Sequence, residues 1–93
     1  METVRIGVLG DYDPTLRFHP ATNAAIEDAA RRVGVQCEIE WIATPSVLEA
    51  EGQAKLRDSD GLWASPGSPY RSFSGMLRGI EFARKHGVPF VAT

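Results

Sequence analysis

Short apolar, β-prone runs alternate along this chain with stretches of helical periodicity, and this alternation constrains the fold more than any other feature. Residues 4–9 form the first run, which ends at the turn Gly10-Asp11. Residues 20–33 then place apolar side chains at helical spacing, and Gly34 is a natural helix terminator. A strand, a helix and a second strand make a βαβ unit, whose right-handed crossover gives a parallel sheet. The sequence therefore predicts an α/β protein.

The next segment predicts an edge strand and a weaker helix. Apolar and acidic side chains alternate over residues 35–43, which indicates a half-exposed strand at the edge of the sheet. Thr44-Pro45 has the residue types of a helix N-cap followed by the first helical position. The helical pattern of residues 46–57 is weak because Gly52 interrupts it.

The last third of the chain repeats the strand and helix pattern. Residues 62–64 predict a short strand, and Met76, Ile80 and Ala83 mark an amphipathic helix. Residues 88–93 begin a fourth strand. We therefore expect a three-layer, flavodoxin-like parallel sheet of about four strands in the order 2-1-3-4.

Composition excludes several classes of partner. The chain has 93 residues and a net charge of -2, with its basic residues scattered, whereas a nucleic-acid surface needs a clustered basic face. No apolar run approaches the roughly 18 residues of a membrane span, and the N-terminus lacks the pattern of a secretory signal. One cysteine permits no internal disulfide. We expect a single cytoplasmic domain with neither nucleic acid nor membrane as partner.

The carboxyl ends of the strands are the expected place for a ligand, as in other open parallel sheets. Pro-Gly-Ser-Pro-Tyr at residues 66–70 follows the third strand, and the backbone N–H groups of Gly67 and Ser68 can form an oxyanion hole there. A plain strand-to-helix turn explains the same residues and is commoner. Tyr70 and Arg71 follow, either as contacts to a substrate carboxylate or as local packing.

Other chemistry-bearing residues have ordinary explanations. Asp11 and Asp13 suit a turn cap, because no glycine-rich dinucleotide fingerprint is present. His19 precedes a helix, where capping or loop packing competes with a place at the site edge, and His86 suits the last helical turn. Cys37 alternates with Glu38 and Glu40, whose charges raise a thiol pKa, which favours a core thiol over a nucleophile. No metal site and no cofactor are expected.

Five segments carry a resemblance to a known family. They are residues 4–13, 40–42, 60–63, 66–70 and 79–84. These segments resemble the class I glutamine amidotransferase domain of CTP synthases. The resemblance is strongest to stand-alone bacterial relatives, which carry Pro-Gly-Ser-Pro-Tyr where CTP synthases carry Pro-Gly-Gly-Phe-Gly. It covers essentially the whole chain, and it implies that residues 1–93 are the N-terminal part of such a domain.

The resemblance also implies a site. It places the nucleophilic cysteine or selenocysteine directly after Thr93 and its histidine and glutamate partners further on, so no catalytic residue is expected within the chain. It implies an oxyanion hole at Gly67 and Ser68 and a glutamine-binding wall at Pro69, Tyr70 and Arg71. Serine at position 68 departs from the glycine of CTP synthases. Glutamine is the implied substrate, and an ammonia-accepting synthetase is a possible partner.

Two functional hypotheses follow. The first is a partial glutamine amidotransferase that is inactive alone and releases ammonia from glutamine once the missing part supplies the nucleophile. The second is a non-catalytic α/β module that binds a partner or a small ligand. A sheet that is cut short exposes the edge of its last strand, which predicts a homo-oligomer formed through that edge.

Overall fold

The computed structural model describes residues 2–65 and 70–92. These residues form one parallel sheet of four strands in the order β2-β1-β3-β4, with helices between the strands. The α/β class and the strand order predicted from the sequence are both confirmed. The elements in chain order are β1 (Thr3–Leu9), α1 (Phe18–Val33), β2 (Gln36–Ile42), a 3-10 helix (Thr44–Leu48), α2 (Ala50–Arg57), β3 (Gly61–Ala64), α3 (Phe73–His86) and β4 (Phe90–Ala92).

The helices lie on the two faces of the sheet. The connection from β1 to β2 and the connection from β2 to β3 cross the sheet in opposite directions. Because such crossovers are right-handed, α1 covers one face, and the 3-10 helix, α2 and α3 cover the other. The described core lies under the second face. It consists of buried Leu9, Ile42, Val47, Leu56, Leu62, Ala64, Met76 and Ala83.

The strands follow the burial that their sequences predict. In β1, burial rises from exposed Thr3 to completely buried Val8 and Leu9, because β1 lies between β2 and β3. β2 alternates exposed and half-buried residues and is the edge strand that its alternation of apolar and acidic residues predicts. None of the helices in the described ranges is long and apolar enough to cross a membrane.

The segment after β2 corrects two expectations. Thr44 is the first residue of the 3-10 helix, and Ala43 holds the N-cap position with no side-chain cap. Thr44 is therefore not a helix cap, because its hydroxyl bonds to other segments of the chain. Helical structure is also stronger here than the sequence indicates. Gly52 lies inside α2, where a Cβ atom would overlap the backbone of Ser46, so glycine permits the close packing of the two helices.

α3 approaches the same segment even more closely. Gly75 is buried in its first turn, and a Cβ atom there would overlap the carbonyl oxygen of Thr44. That oxygen belongs to the backbone and cannot move away as a flexible side chain would. The start of α3 is therefore held against the start of the 3-10 helix by a contact that only glycine permits.

We expect Gly75→Ala to lower the free energy of unfolding by about 1–3 kcal/mol, because the added methyl group overpacks this contact. Exposed Ser74→Ala, one position earlier in the same helix, is the matched control and should change stability by less than about 0.5 kcal/mol. Urea denaturation followed by circular dichroism measures both. Equal stability of the two variants would contradict the packing described here.

Candidate functional site

The ends of three strands meet at the carboxyl edge of the sheet. Leu9 pairs with Ile42 on one side and with Ala64 on the other. Pairing continues one residue further, because Gly10 N–H donates to the Ile42 carbonyl at 3.0 Å and Ser65 N–H donates to the Leu9 carbonyl at 2.9 Å. The loops that leave β1, β2 and β3 therefore start side by side.

Asp11 joins these loops through its carboxylate. Oδ1 accepts a hydrogen bond from the Thr44 N–H at 2.9 Å, and Oδ2 accepts one from the Thr44 hydroxyl at 2.9 Å. Oδ2 also accepts the N–H of Arg71 at 2.8 Å. One carboxylate on the β1 loop thus holds both the end of β2 and the segment that leads into α3.

Thr44 extends this link to the start of α3. Its hydroxyl donates to Asp11 and accepts the N–H of Ser72 at 2.8 Å. The Ser72 hydroxyl in turn accepts the N–H of Gly75 at 3.0 Å, which makes Ser72 the N-cap of α3. Such caps satisfy an N–H group that the helix itself leaves unpaired. A continuous chain of hydrogen bonds therefore runs from Asp11 to the first turn of α3.

Tyr70 closes the segment after β3 from the other side. Its hydroxyl donates to the Ser65 carbonyl at 2.8 Å, and its ring packs against the hydrophobic core. Burial raises the pKa of the Tyr70 phenol, and the charge of Asp11 adds to this effect. The phenol therefore remains a donor at neutral pH. Of the two alternatives left by the sequence, the described contacts of Tyr70 are those of local packing.

Ser65 presents an unsatisfied group beside this tyrosine. The residue is 1% exposed, and among the described residues its hydroxyl is the buried side-chain polar atom without a hydrogen-bond partner. A buried polar group without a partner costs roughly 1–3 kcal/mol. Ser65 directly precedes residues 66–69, so this cost lies at the start of the predicted oxyanion turn.

Arg71 uses its backbone and its side chain differently. Its N–H binds Asp11, whereas its exposed side chain forms no ion pair with the described residues. A guanidinium group in that state can bind a ligand carboxylate. The other predicted site residues, Gly67, Ser68 and Pro69, lie outside the described residues, as does Thr93.

An aromatic cluster lies beside this edge, where Tyr12 of the β1 loop meets His19 of α1 and Trp41 of β2. His19 is 3% exposed, its Nδ1 accepts the N–H of Asp13 at 2.9 Å, and its ring lies 4.9 Å from that of Trp41 and 5.9 Å from that of Tyr12. His19 is the second residue of α1, so the expectation that it precedes the helix is wrong. Its described contacts are those of loop packing. Asp13 caps a turn as predicted, since its carboxylate accepts two hydrogen bonds from Thr15, which lower the Asp13 pKa.

Cys37 lies far from this edge. It pairs with Val4 near the start of β2, five residues before Ile42, which is about 16 Å along a strand. The expectation of a core thiol is wrong, because Cys37 is half-buried on an edge strand and outside the core cluster. Desolvation raises the thiol pKa, and the charges of Glu27 and Glu38 raise it further. Both effects disfavour the thiolate that a nucleophile needs.

The remaining histidine lies where the sequence predicts it. His86 is in the last turn of α3, as predicted, and its ring lies 4.4 Å from that of Phe82. Within residues 2–65 and 70–92, no group of three histidine, cysteine or acidic side chains is arranged to hold a metal ion.

The Asp11–Thr44 pair is the part of the site that sequence reasoning missed. Thr44 was interpreted as a cap for its own helix and Asp11 as a turn cap, both of which are local roles. Their partners are distant in the chain, because Thr44 lies 33 positions and Arg71 60 positions after Asp11. The sequence feature that could have identified the pair is its position, because Asp11 and Thr44 each follow a strand at the predicted carboxyl edge.

We expect two substitutions at this edge to have opposite effects on stability. Thr44→Val removes a donor to Asp11 and an acceptor for Ser72, so the free energy of unfolding should fall by about 1–3 kcal/mol. Ser65→Ala removes a hydroxyl with no described partner and should leave that free energy unchanged or raise it by about 1 kcal/mol. Urea denaturation of both variants tests this, and an equal loss in Ser65→Ala would contradict the assignment of an unsatisfied hydroxyl.

Comparison with known proteins finds CTP synthases among the proteins that this chain resembles. No protein-family model matches the chain. The chain is 28% identical over 89 residues to the CTP synthase of Sulfolobus acidocaldarius, covering 95% of this chain and 17% of that protein. It is 28% identical over 97 residues to the CTP synthase of Methanothrix thermoacetophila, covering 97% of this chain and 18% of that protein. The chain therefore spans less than one fifth of the length of these relatives.

A solved structure has the same fold. The glutaminase domain of Trypanosoma brucei CTPS with bound acivicin matches with a TM-score of 0.82 and 19% sequence identity. The match covers 96% of this chain and 35% of that chain. The sequence likeness and the fold thus point to the same proteins. The chain is similar in sequence to CTP synthases, and it has the α/β fold of the matched glutaminase domain.

Proposed function

We propose that residues 1–93 form the N-terminal part of a glutamine-hydrolysing domain and are inactive by themselves. The observation that carries this proposal is the likeness to CTP synthases over 95–97% of the chain, together with the fold of a glutaminase domain. The chain covers 35% of the chain that contains the matched domain, which supports the proposal that further polypeptide completes it.

The site geometry supports the same proposal. The segment from Ser65 to Ser72 leaves β3 at the edge where parallel sheets bind ligands. Both of its ends are held, because Ser65 N–H binds Leu9 and Arg71 N–H binds Asp11. We propose that Gly67 and Ser68 in this segment donate their N–H groups to the oxyanion.

The proposed reaction uses a thiolate supplied from outside these residues, at the position that follows Thr93. Its sulfur bonds to the side-chain amide carbon of glutamine, and the C–N bond then breaks as the nitrogen takes a proton and leaves as ammonia. Water hydrolyses the resulting glutamyl thioester to glutamate and restores the thiol. Each oxyanion donor typically contributes about 3–4 kcal/mol to the transition state of such a reaction. We further propose that the ammonia passes to a synthetase partner.

The residues that follow the proposed oxyanion turn are the proposed contacts of glutamine. We propose that Pro69, Tyr70 and Arg71 line the glutamine pocket. The exposed guanidinium of Arg71, with no ion pair among the described residues, suits the α-carboxylate of the substrate. Tyr70 contributes through the shape of its segment, since its hydroxyl already binds Ser65.

A glutaminase assay tests this proposal. The 93-residue polypeptide should release no ammonia from L-glutamine, whereas a longer polypeptide that continues past Thr93 and includes the nucleophile should release it. Replacing that nucleophile by alanine should abolish the release. Cys37→Ser in the longer polypeptide is the matched cysteine control. It should leave kcat unchanged, because Cys37 lies near the amino end of β2, away from the carboxyl edge of the sheet.

Three results would contradict the proposal. Ammonia release by the 93-residue polypeptide would refute its inactivity. Loss of activity in Cys37→Ser would place the nucleophile in β2. Absence of ammonia release from the longer polypeptide would instead support a non-catalytic α/β module.

We also propose that the chain self-associates through the outer edge of β4. β4 is last in the sheet order, and Val91 is 53% exposed there. A groove of about 250 Å³ on the α1 face, lined by residues such as Val33 and Trp63, adds exposed apolar surface. Unpaired strand edges and exposed apolar patches both favour association.

Sedimentation velocity of the 93-residue polypeptide should therefore show dimers or larger species that increase with concentration. Val91→Lys places a charge on the β4 edge and should shift the distribution to monomer. Leu48→Lys, which charges an equally exposed apolar residue on the 3-10 helix, should leave association unchanged. A monomeric wild-type chain at high concentration would refute self-association.

A further inference from the structure

The Asp11 carboxylate is fully engaged in holding backbone. It accepts the N–H groups of Thr44 and Arg71 together with the Thr44 hydroxyl, at distances of 2.8–2.9 Å. None of its described contacts is an ion pair with a basic side chain. Its charge is therefore balanced by N–H and O–H dipoles, and both of its oxygens accept hydrogen bonds from the protein itself. Such a group is suited to positioning the segments that it joins.

We infer that Asp11 is a positioning residue of the glutamine site, and this inference rests on the proposed function. Arg71 follows Tyr70 directly, and both are proposed to line the glutamine pocket. The N–H of Arg71 is the point at which this wall is attached to the β1 loop. Asp11 therefore sets where the backbone of the wall lies relative to the ends of β1 and β2.

A carboxylate is needed for this attachment. Hydrogen bonds to a charged acceptor are shorter and stronger than those to a neutral one. Asparagine has the same shape but presents an NH₂ group in place of one oxygen, and that group would face an N–H or O–H donor. Either Thr44 or Arg71 would lose its acceptor, and the wall would move. A displacement of about 1 Å at a catalytic site can cost about 100-fold in rate.

The amino end of the strands, opposite the carboxyl edge, offers a matched control. Oδ2 of Asp60 accepts the backbone N–H of Arg5 at 2.8 Å, which is the same kind of bond at the same distance. Asp60 precedes β3 and lies at its amino end. Asp60→Asn thus disturbs a comparable bond far from the proposed site, so it reports what loss of stability alone does to the rate.

The test compares the two variants in the longer, active polypeptide. Asp11→Asn should lower kcat for glutamine hydrolysis by about 10- to 100-fold. KM should rise as well, because the displaced Arg71 is proposed to hold the α-carboxylate of glutamine in the ground state as well as in the transition state. Asp60→Asn should keep kcat within about twofold of wild type. In the 93-residue polypeptide, Asp11→Asn should also shift the ¹⁵N-HSQC amide signals of Thr44 and Arg71 and leave that of Arg5 in place.

Each outcome decides a separate question. Wild-type kcat in Asp11→Asn overturns the inference and leaves the proposed function standing. Equal losses of kcat in Asp11→Asn and Asp60→Asn also overturn it, because the effect would then be one of stability. No ammonia release from the wild-type longer polypeptide refutes the proposed function and the inference with it. Should Asp11→Asn fail to fold, Asp11→Glu takes its place, with a tenfold fall in kcat supporting the inference and wild-type kcat overturning it.

Discussion

Thr44 is the point on which the carboxyl edge of this protein depends. The residue is completely buried, and each of its polar groups is used or tightly packed. Its N–H and hydroxyl bind Asp11, its hydroxyl also accepts the N–H of Ser72, and its carbonyl oxygen lies against Gly75. The β1 loop, the end of β2 and the start of α3 are thereby fixed to one another through a single residue. The proposed glutamine wall lies between two of these segments.

The fold could be read from the sequence because its determinants are local. Apolar runs, helical spacing and turn residues mark each strand and helix, and the right-handed crossover rule predicts a parallel sheet between two helical layers. The order β2-β1-β3-β4 is that of a flavodoxin-like sheet. Helical structure between β2 and β3 was underestimated, because Gly52 counts against a helix in any local scale. Its actual reason is tertiary, since the backbone of Ser46 leaves no room for a side chain there.

The site was predictable only in part, and the physical reason is distance along the chain. Position after a strand identified the segment at residues 66–71, and local chemistry identified the turn capped by Asp13. The Asp11 bonds join residues up to 60 positions apart, so no local pattern reports them. Cys37 was misjudged for a related reason, because its alternation with glutamates shows an edge strand but not how deeply the apolar side is covered.

The strand order has a consequence for synthesis on the ribosome. β1 emerges first and becomes an inner strand, β2 joins one side of it, and β3 and then β4 add outward on the other side. Once β3 has paired with β1, β4 pairs with the outer side of β3, and no earlier strand pair has to separate. Domains tend to form in the direction in which they are translated. A nascent chain of this topology can therefore assemble its sheet in step with elongation.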